Sequence, residues 1–113
     1  MGAEINSRDN ISQTPLMLSV KGNHAKCVEL LLDYKASADL QDNDGDSALH
    51  MACGQGRGAI VELLLNRGAS VVLLNDRNHA CLETAAKAGS SDASMIFVKH
   101  KRLVFFSQRE VKR

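Results

Sequence analysis

Apolar residues recur three and four positions apart in several short segments, and glycine or asparagine separates one segment from the next. Between Asp42 and Gly68 this pattern predicts a tight turn, a short helix, a glycine-rich break and a second helix. Shifting the stretch by thirty-three residues in either direction finds the same order of positions twice more. The segment 61–65, for example, corresponds to 28–32 and to 94–98. A fixed period of this length is typical of stacked supersecondary units, so we predict a three-unit array of helix–turn–helix elements.

The middle unit follows the pattern D-x-x-G-x-T-P-L-H-x-A-A-x-x-G-H-x-x-x-V-x-x-L-L-x-x-G-A, and on these positions the chain resembles the ankyrin repeat family. The resemblance extends from Gly2 to about Lys101. It implies an all-α fold, an ankyrin-repeat helical solenoid with three stacked helix-turn-helix units joined by β-turn fingers. The matching positions of the middle unit are Asp42, Gly45, Leu49, His50, Ala52, Gly56, Val61, Leu64, Leu65, Gly68 and Ala69.

The period also suggests how the chain is divided. Residues 2–6 read Gly-Ala-Glu-Ile-Asn and resemble the G-A-D-V-N sequence with which an ankyrin unit ends. We therefore expect the chain to be a fragment of a longer array. The expected divisions are the end of a preceding, truncated repeat at 1–8, repeat 1 at 9–41, repeat 2 at 42–74, a degenerate repeat 3 at 75–101 and a basic and apolar tail at 102–113.

Residues at the helix ends support these units and distinguish them. Thr14 is a good N-cap and Pro15 suits the first helical position, so the first helix of unit one should run from here to about Lys21. Lys35 stands where the repeat usually places glycine, and we expect a left-handed backbone there at a cost of about 1 kcal/mol. Unit three has Ala80 in place of a capping residue. We expect unit three to unfold first because it lacks this cap.

Composition limits the class of protein. The 113 residues suit one small domain, the hydrophobic content is 44% and the formal net charge is +1. Cys27, Cys53 and Cys81 occur one per unit, a dispersed odd set that favours a reducing compartment over a disulfide framework. The sequence shows no apolar run of eighteen residues and no secretory leader. We expect an intracellular protein, either cytoplasmic or nuclear.

Charge is concentrated at the C-terminal end of the chain. From Lys99 onward there are six basic residues and one acidic residue, whereas the remainder holds eight basic and twelve acidic residues. A basic segment of this kind suits anionic lipid or nucleic acid, which is an alternative function that we place below a protein partner. The apolar run Leu103 to Phe106 leaves two interpretations open. It either caps the end of the array, which we favour because exposed apolar surface is costly, or forms an exposed, β-prone binding strand.

Two short motifs suggest ligand chemistry, and each has a structural explanation. Asp42, Asp44 and Asp46 have the 1, 3, 5 spacing of a calcium loop, but the loop's glycine and final glutamate are absent. They are also expected to lie on the turn between repeats. The glycine-rich stretch 54–58 follows a predicted helix rather than a strand, and it lacks the lysine of a phosphate-binding loop. Neither motif predicts a bound ion or nucleotide.

The remaining reactive side chains do not predict an enzyme. His50 and Cys53 are three residues apart, but they supply two ligands where a zinc site takes at least three from the protein. The resemblance implies that His50 instead makes a hydrogen bond between repeats. No arrangement of a nucleophile with a base, and no pair of catalytic carboxylates, is recognisable. We expect no catalytic activity, no metal and no cofactor.

The resemblance also implies where a ligand binds, because ankyrin repeats contact protein partners through the turn fingers and the outward positions of the first helix. Asp44, Asp46 and Met51 then form an acidic finger beside an adaptable apolar side chain. We expect a protein or peptide partner with a basic element and an apolar anchor, and no small-molecule substrate. A second interpretation is a substrate-recruiting segment of a larger enzyme, since residues 41–50 are similar to turns in the ankyrin arrays of Mind bomb-type ubiquitin ligases. The candidate partner-binding residues are Asn10, Ile11, Gln13, Leu18, Lys21, Asn43, Asp44, Asp46, Met51, Gln55, Asp76, Arg77, His79, Thr84 and Lys87.

Overall fold

Five short helices account for the regular structure in the described part of the chain. The computed structural model describes residues 5–89 and 95–96, and no strand forms within them. The predicted all-α solenoid is therefore confirmed. Among the described helices, none is long and apolar enough to cross a membrane. The helices are α1 (Pro15–Lys21), α2 (Ala25–Asp33), α3 (Ala48–Gly54), α4 (Gly58–Asn66) and α5 (Cys81–Lys87).

The residue before each of α1, α3 and α5 decides how well that helix is capped. The Thr14 hydroxyl accepts a hydrogen bond from a backbone N–H in the first turn of α1 at 3.2 Å, and the Ser47 hydroxyl does so in α3 at 3.3 Å. Ala80 has no side-chain oxygen with which to cap α5. The Glu83 carboxylate instead accepts a hydrogen bond from the Ala80 N–H at 2.9 Å. Helix α5 therefore keeps only half of the reciprocal cap that the other two helices have.

Left-handed residues reverse the chain at equivalent places in the two complete helix pairs. Asn23 and Gly56 separate the paired helices with φ of 61° and 69°, and Lys35 and Gly68 follow the second helices with φ of 74° and 84°. The left-handed backbone expected at Lys35 is confirmed. A residue with a Cβ is less favourable there than glycine by about 1 kcal/mol. Unit one therefore ends in a more strained turn than unit two.

Apolar side chains between the helix pairs form one continuous core. Leu16 and Leu49 are each 1% exposed, and Val28 and Val61 are each 0% exposed. Equal burial at equivalent positions shows that the first two helix pairs pack in the same register. Leu82 holds the corresponding position in α5, but it is 40% exposed. Helices α1, α3 and α5 lie side by side, with α2 packed on α1 and α4 packed on α3.

Several predictions concern residues outside the described ones. They are the two interpretations of Leu103 to Phe106, the contact of the basic residues from Lys99 onward with lipid or nucleic acid, and the tail beginning at residue 102. The early unfolding of unit three depends in part on residues 90–94 and 97–101, which are likewise not described. These points stay predictions.

Candidate functional site

Three turns precede α1, α3 and α5, and a single side chain organises each of them. In the second turn, the Asp42 carboxylate accepts hydrogen bonds from the N–H groups of Asp44 and Asp46, both at 2.9 Å. Asp9 and Asn75 accept the equivalent pairs in the first and third turns at 2.7 to 3.1 Å. A side-chain oxygen that holds two N–H groups fixes the turn without help from neighbouring elements. The turns are finger 1 (Asp9–Gln13), finger 2 (Asp42–Asp46) and finger 3 (Asn75–His79).

Backbone hydrogen bonds connect each finger to the next. The Asn43 N–H donates to the Ile11 carbonyl at 3.2 Å. The Asp76 N–H donates to the Asp44 carbonyl at 3.0 Å. Gly45 has φ of 78°, and a Cβ at this residue would lie 2.7 Å from the Asp76 nitrogen, so only glycine fits without movement. The three fingers thus form one edge with a fixed spacing.

Side chains connect fingers 2 and 3 a second time. The Gln41 amide donates to the Leu74 carbonyl at 2.8 Å, and it also donates to the carbonyl of Gly45 at 2.7 Å. The Asn75 amide donates to the Asp46 carboxylate at 2.9 Å. These contacts join the base of one finger to the base of the other. The fingers therefore do not move independently.

The buried His50 side chain also joins the second unit to the third. The Ser47 N–H donates to His50 Nδ1 at 3.1 Å, which assigns the ring proton to Nε2. His50 Nε2 then donates to the His79 carbonyl at 2.9 Å. The structure thus contains the hydrogen bond between repeats that the resemblance implied. This role uses both ring nitrogens, so His50 is a structural residue rather than a free base.

The fingers and the first helices of the pairs line a groove of about 650 Å³, which we name the concave groove. Most of the candidate partner-binding residues lie in it. Asn10, Leu18 and Asp76 are exposed but do not line the groove. Their part in binding stays a prediction. The candidates that line the groove are Ile11, Gln13, Lys21, Asn43, Asp44, Asp46, Met51, Gln55, Arg77, His79, Thr84 and Lys87.

The sequence analysis missed several residues of the groove. Gly54 was accessible from the period, because it lies thirty-three residues after Lys21 and thirty-three before Lys87. It was passed over because glycine offers no side chain for a contact, although it leaves room between the two lysines. The residues missed are Asp42, His50, Gly54, Asn75 and Ala88.

Charges of opposite sign occupy different parts of the concave groove. The acidic side chains belong to finger 2, where Asp44 is exposed. Basic side chains come from the last turns of α1 and α5, through Lys21 and Lys87, and from finger 3 through Arg77. The half-buried Met51 lies in the groove as well, so an apolar surface adjoins the charged one. This arrangement suits a ligand that combines charged and apolar groups.

Finger 2 brings its three carboxylates together. Ligand atoms of Asp42, Asp44 and Asp46 lie within 4.8 Å of one another. One oxygen of Asp42 already accepts two backbone N–H groups, and one oxygen of Asp46 accepts the Asn75 amide. Acidic clusters on turns are common without an ion, and this turn lacks the later ligands of a calcium loop. We therefore assign no metal to finger 2.

Two thiols meet in the core behind the concave groove. Cys53 on α3 is 0% exposed, and Cys81 at the start of α5 is 2% exposed. The hydrogen bond between these thiols, followed by burial, raises the pKa of Cys53. The Cys81 thiol also lies 3.7 Å from the Val71 carbonyl, to which it donates. A buried, protonated thiol such as Cys53 is a packing group rather than a nucleophile.

Comparison with known proteins gives relatives that share the same architecture. The Caenorhabditis elegans protein mask-1, named as an ankyrin repeat and KH domain-containing protein, is 34% identical over 99 residues, which are 87% of this chain and 4% of that protein. NF-kappa-B inhibitor alpha from Sus scrofa is 36% identical over 93 residues, or 77% of this chain and 30% of that protein. The ankyrin repeat protein nuc-2 from Neurospora crassa is 41% identical over 68 residues, or 60% and 6% of the two chains. This chain spans less than a third of each relative.

The family profile described as ankyrin repeats, in three copies, matches residues 1–75. That match covers more than half of the chain and includes fingers 1 and 2 and helices α1 to α4. Members of this family are in general non-catalytic modules for protein–protein interaction. Because the profile and the observed helix pairs agree, the chain belongs to the ankyrin repeat family.

Proposed function

We propose that this chain is a non-catalytic protein-binding module whose ligand occupies the concave groove. The observation that carries the proposal is the edge of fingers held together by backbone hydrogen bonds, Asn43 to Ile11 and Asp76 to Asp44. A surface fixed before binding loses little conformational freedom when the ligand arrives. An extended groove, in contrast to an enclosed pocket, suits a peptide or a protein domain. The name of one relative, NF-kappa-B inhibitor alpha, also describes action on another protein.

The side chains of the groove favour a partner with an apolar anchor and a basic element. Ile11 is 47% exposed and Met51 is half-buried, so an apolar side chain has surface to cover in the groove. Burial of that kind contributes roughly 25 cal/mol per Å², whereas an exposed charge pair contributes about 0 to 1 kcal/mol. The anchor therefore supplies most of the affinity. Asp44 and Asp46 supply selectivity for a basic group and a faster encounter.

The setting of the module follows from the same observations. The free thiols of Cys27, Cys53 and Cys81 support an intracellular location, cytoplasmic or nuclear. The proposed ligand is a protein or peptide, without a cofactor. Recruitment of a substrate to a larger ubiquitin ligase stays a prediction, as does contact of the basic tail with lipid or nucleic acid.

Peptide binding to single-charge variants tests the proposal. Peptides selected from a random displayed library on the unmodified chain would be titrated against that chain, Asp44→Asn and Asp44→Asn/Asp46→Asn by fluorescence anisotropy. We expect selected peptides rich in arginine or lysine beside leucine or phenylalanine. Their affinity should fall by about fivefold per lost carboxylate, the equivalent of about 1 kcal/mol, and should weaken as salt is raised.

Glu29→Gln is the matched control, because it removes the same charge from α2, outside the groove. It should leave the affinity unchanged. Equal affinities for Glu29→Gln and Asp44→Asn, together with insensitivity to salt, would reject finger 2 as the contact. Selected peptides that bind with no loss when Met51 is replaced by alanine would reject the apolar anchor.

A further inference from the structure

Helix α2 carries an apolar stripe that the described residues leave open. Cys27, Leu30 and Tyr34 are spaced three and four residues apart and so lie on one side of the helix. Leu30 is 55% exposed, Tyr34 is 71% exposed and Cys27 is also exposed. We call these three residues the α2 stripe. Single apolar residues on a surface are ordinary, but a line of three along one helix face indicates an interface.

The equivalent stripe on α4 is packed. Thirty-three residues after the α2 stripe stand Ile60, Leu63 and Arg67. Ile60 is 1% exposed, and Leu63 is partly buried against the core. Helix α4 packs against α2, and the Arg67 guanidinium reaches the Asp33 carboxylate of α2 at 2.6 Å. In this array, a stripe at these positions is the surface through which one helix pair stacks on the pair before it.

The chain also enters α1 along the path that joins one helix pair to the next. The Asn6 side chain accepts a hydrogen bond from the Ser37 N–H at 2.9 Å. The Asp39 carboxylate accepts one from the Ser70 N–H, also at 2.9 Å, thirty-three residues further on. Residues that lead into α1 therefore follow the same course as residues 38–41, which lead from α2 to α3. A helix pair attached to this path would lie beside the α2 stripe.

We propose that the α2 stripe is the docking surface for another helix pair of the same repeat type, joined to this chain ahead of α1. The size of the surface decides between this occupant and a separate molecule. Helix α2 has nine residues and is about 14 Å long at roughly 1.5 Å per residue. One face of it is far smaller than the roughly 800 Å² per partner that stable complexes bury. A tethered helix pair avoids most of the entropy loss that a separate partner suffers on binding.

Cys27 provides a direct reporter of this docking. A copy of residues 9–41, with its own Cys27 replaced by serine, would be inserted ahead of Asp9 in the full chain. Alkylation of the original Cys27 would then be followed by mass spectrometry in the extended and the unextended chains. We expect the alkylation rate to fall by about tenfold or more in the extended chain, because Cys27 then takes the position of the buried Ile60. The urea midpoint should rise with it.

Leu30→Glu separates docking from other effects of the insertion. In the unextended chain Leu30 is largely exposed, so this change should leave the urea midpoint unchanged. Within the original unit of the extended chain it should restore rapid alkylation of Cys27. A second extension, made with a copy of residues 42–74, guards against a first copy that does not fold. The proposal is overturned if Cys27 is alkylated as fast in both extended chains as in the unextended one. It is also overturned if the unextended chain sediments as a dimer that Leu30→Glu dissociates, which would assign the stripe to a second copy.

Discussion

Leu49 and Leu82 hold the same place in α3 and α5, yet Leu49 is 1% exposed and Leu82 is 40% exposed. Helix α3 packs against α1, α4 and α5, whereas α5 packs mainly against α3 among the described helices. The two helices also start differently, with a capping serine at Ser47 and no cap at Ala80. The difference teaches that a unit of this array is stabilised by its neighbours at least as much as by its own residues.

Truncation of the two leucines should separate these regions by the largest margin. Leu49→Ala leaves a cavity in a closed core and should lower the free energy of unfolding by about 3 kcal/mol. Leu82→Ala removes a side chain that is already partly in water and should cost less than about 1 kcal/mol. Urea unfolding followed by circular dichroism measures both. Equal losses would show that α5 is as closely packed as α3, which would refute the comparison.

Substitution of two left-handed glycines tests the contact between fingers 2 and 3. Gly45→Ala combines an unfavourable φ with a clash against the Asp76 nitrogen, so it should cost about 2 kcal/mol. Gly68→Ala has a similar φ but no atom within 4 Å of the added Cβ, so about 1 kcal/mol is expected. Thermal unfolding of the two variants gives the difference. If Gly68→Ala were the more harmful of the two, the fingers would not be in contact as described.

Exchange of the capping residues should bring the two helices closer together. Ser47→Ala removes the hydroxyl that accepts a hydrogen bond in the first turn of α3 and should destabilise the chain by about 1 kcal/mol. Ala80→Ser restores a cap to α5 and should stabilise the chain by up to about 1 kcal/mol. Hydrogen exchange at the first turn of each helix locates the effect. Unchanged protection of α5 in Ala80→Ser would mean that its cap does not limit it.

Replacement of Lys35 should give the smallest effect, and it should be stabilising. Lys35→Gly relieves the left-handed backbone after α2 and should add about 0.5 kcal/mol, less than the full relief because glycine gains freedom in the unfolded chain. Gly68→Lys is the reverse change at the equivalent place in unit two and should cost about 1 kcal/mol. A shift of the same sign for both variants in urea unfolding would contradict this reasoning.

The period predicted the backbone well, because backbone requirements repeat with the unit. The cap at Thr14, the first position at Pro15 and the left-handed Lys35 were all identified by equivalence with a better-matched unit. Burial was harder to predict. Leu82 and Cys27 match Leu49 and Ile60 in position, but their exposure depends on which surfaces lie beside them, and a residue's own unit does not encode that.

The concave groove shows the same limit for function. Residues such as Asp44 and Met51 could be selected because their side chains carry chemistry at outward positions of the repeat. Gly54 could not be selected in that way, since its contribution is the space that it leaves between Lys21 and Lys87. Similarly, the tie from Asp76 to Asp44 involves backbone atoms only, which the identity of the side chains does not reveal.

That backbone tie separates the shape of the finger edge from its chemistry. Asp44 and Asp76 meet through main-chain atoms, so either side chain can be exchanged without breaking the hydrogen bond. Descendants of such a protein can therefore alter the charges they display, and with them the molecules they recognise, through point mutations alone. New specificity arises on a frame that does not have to be invented again.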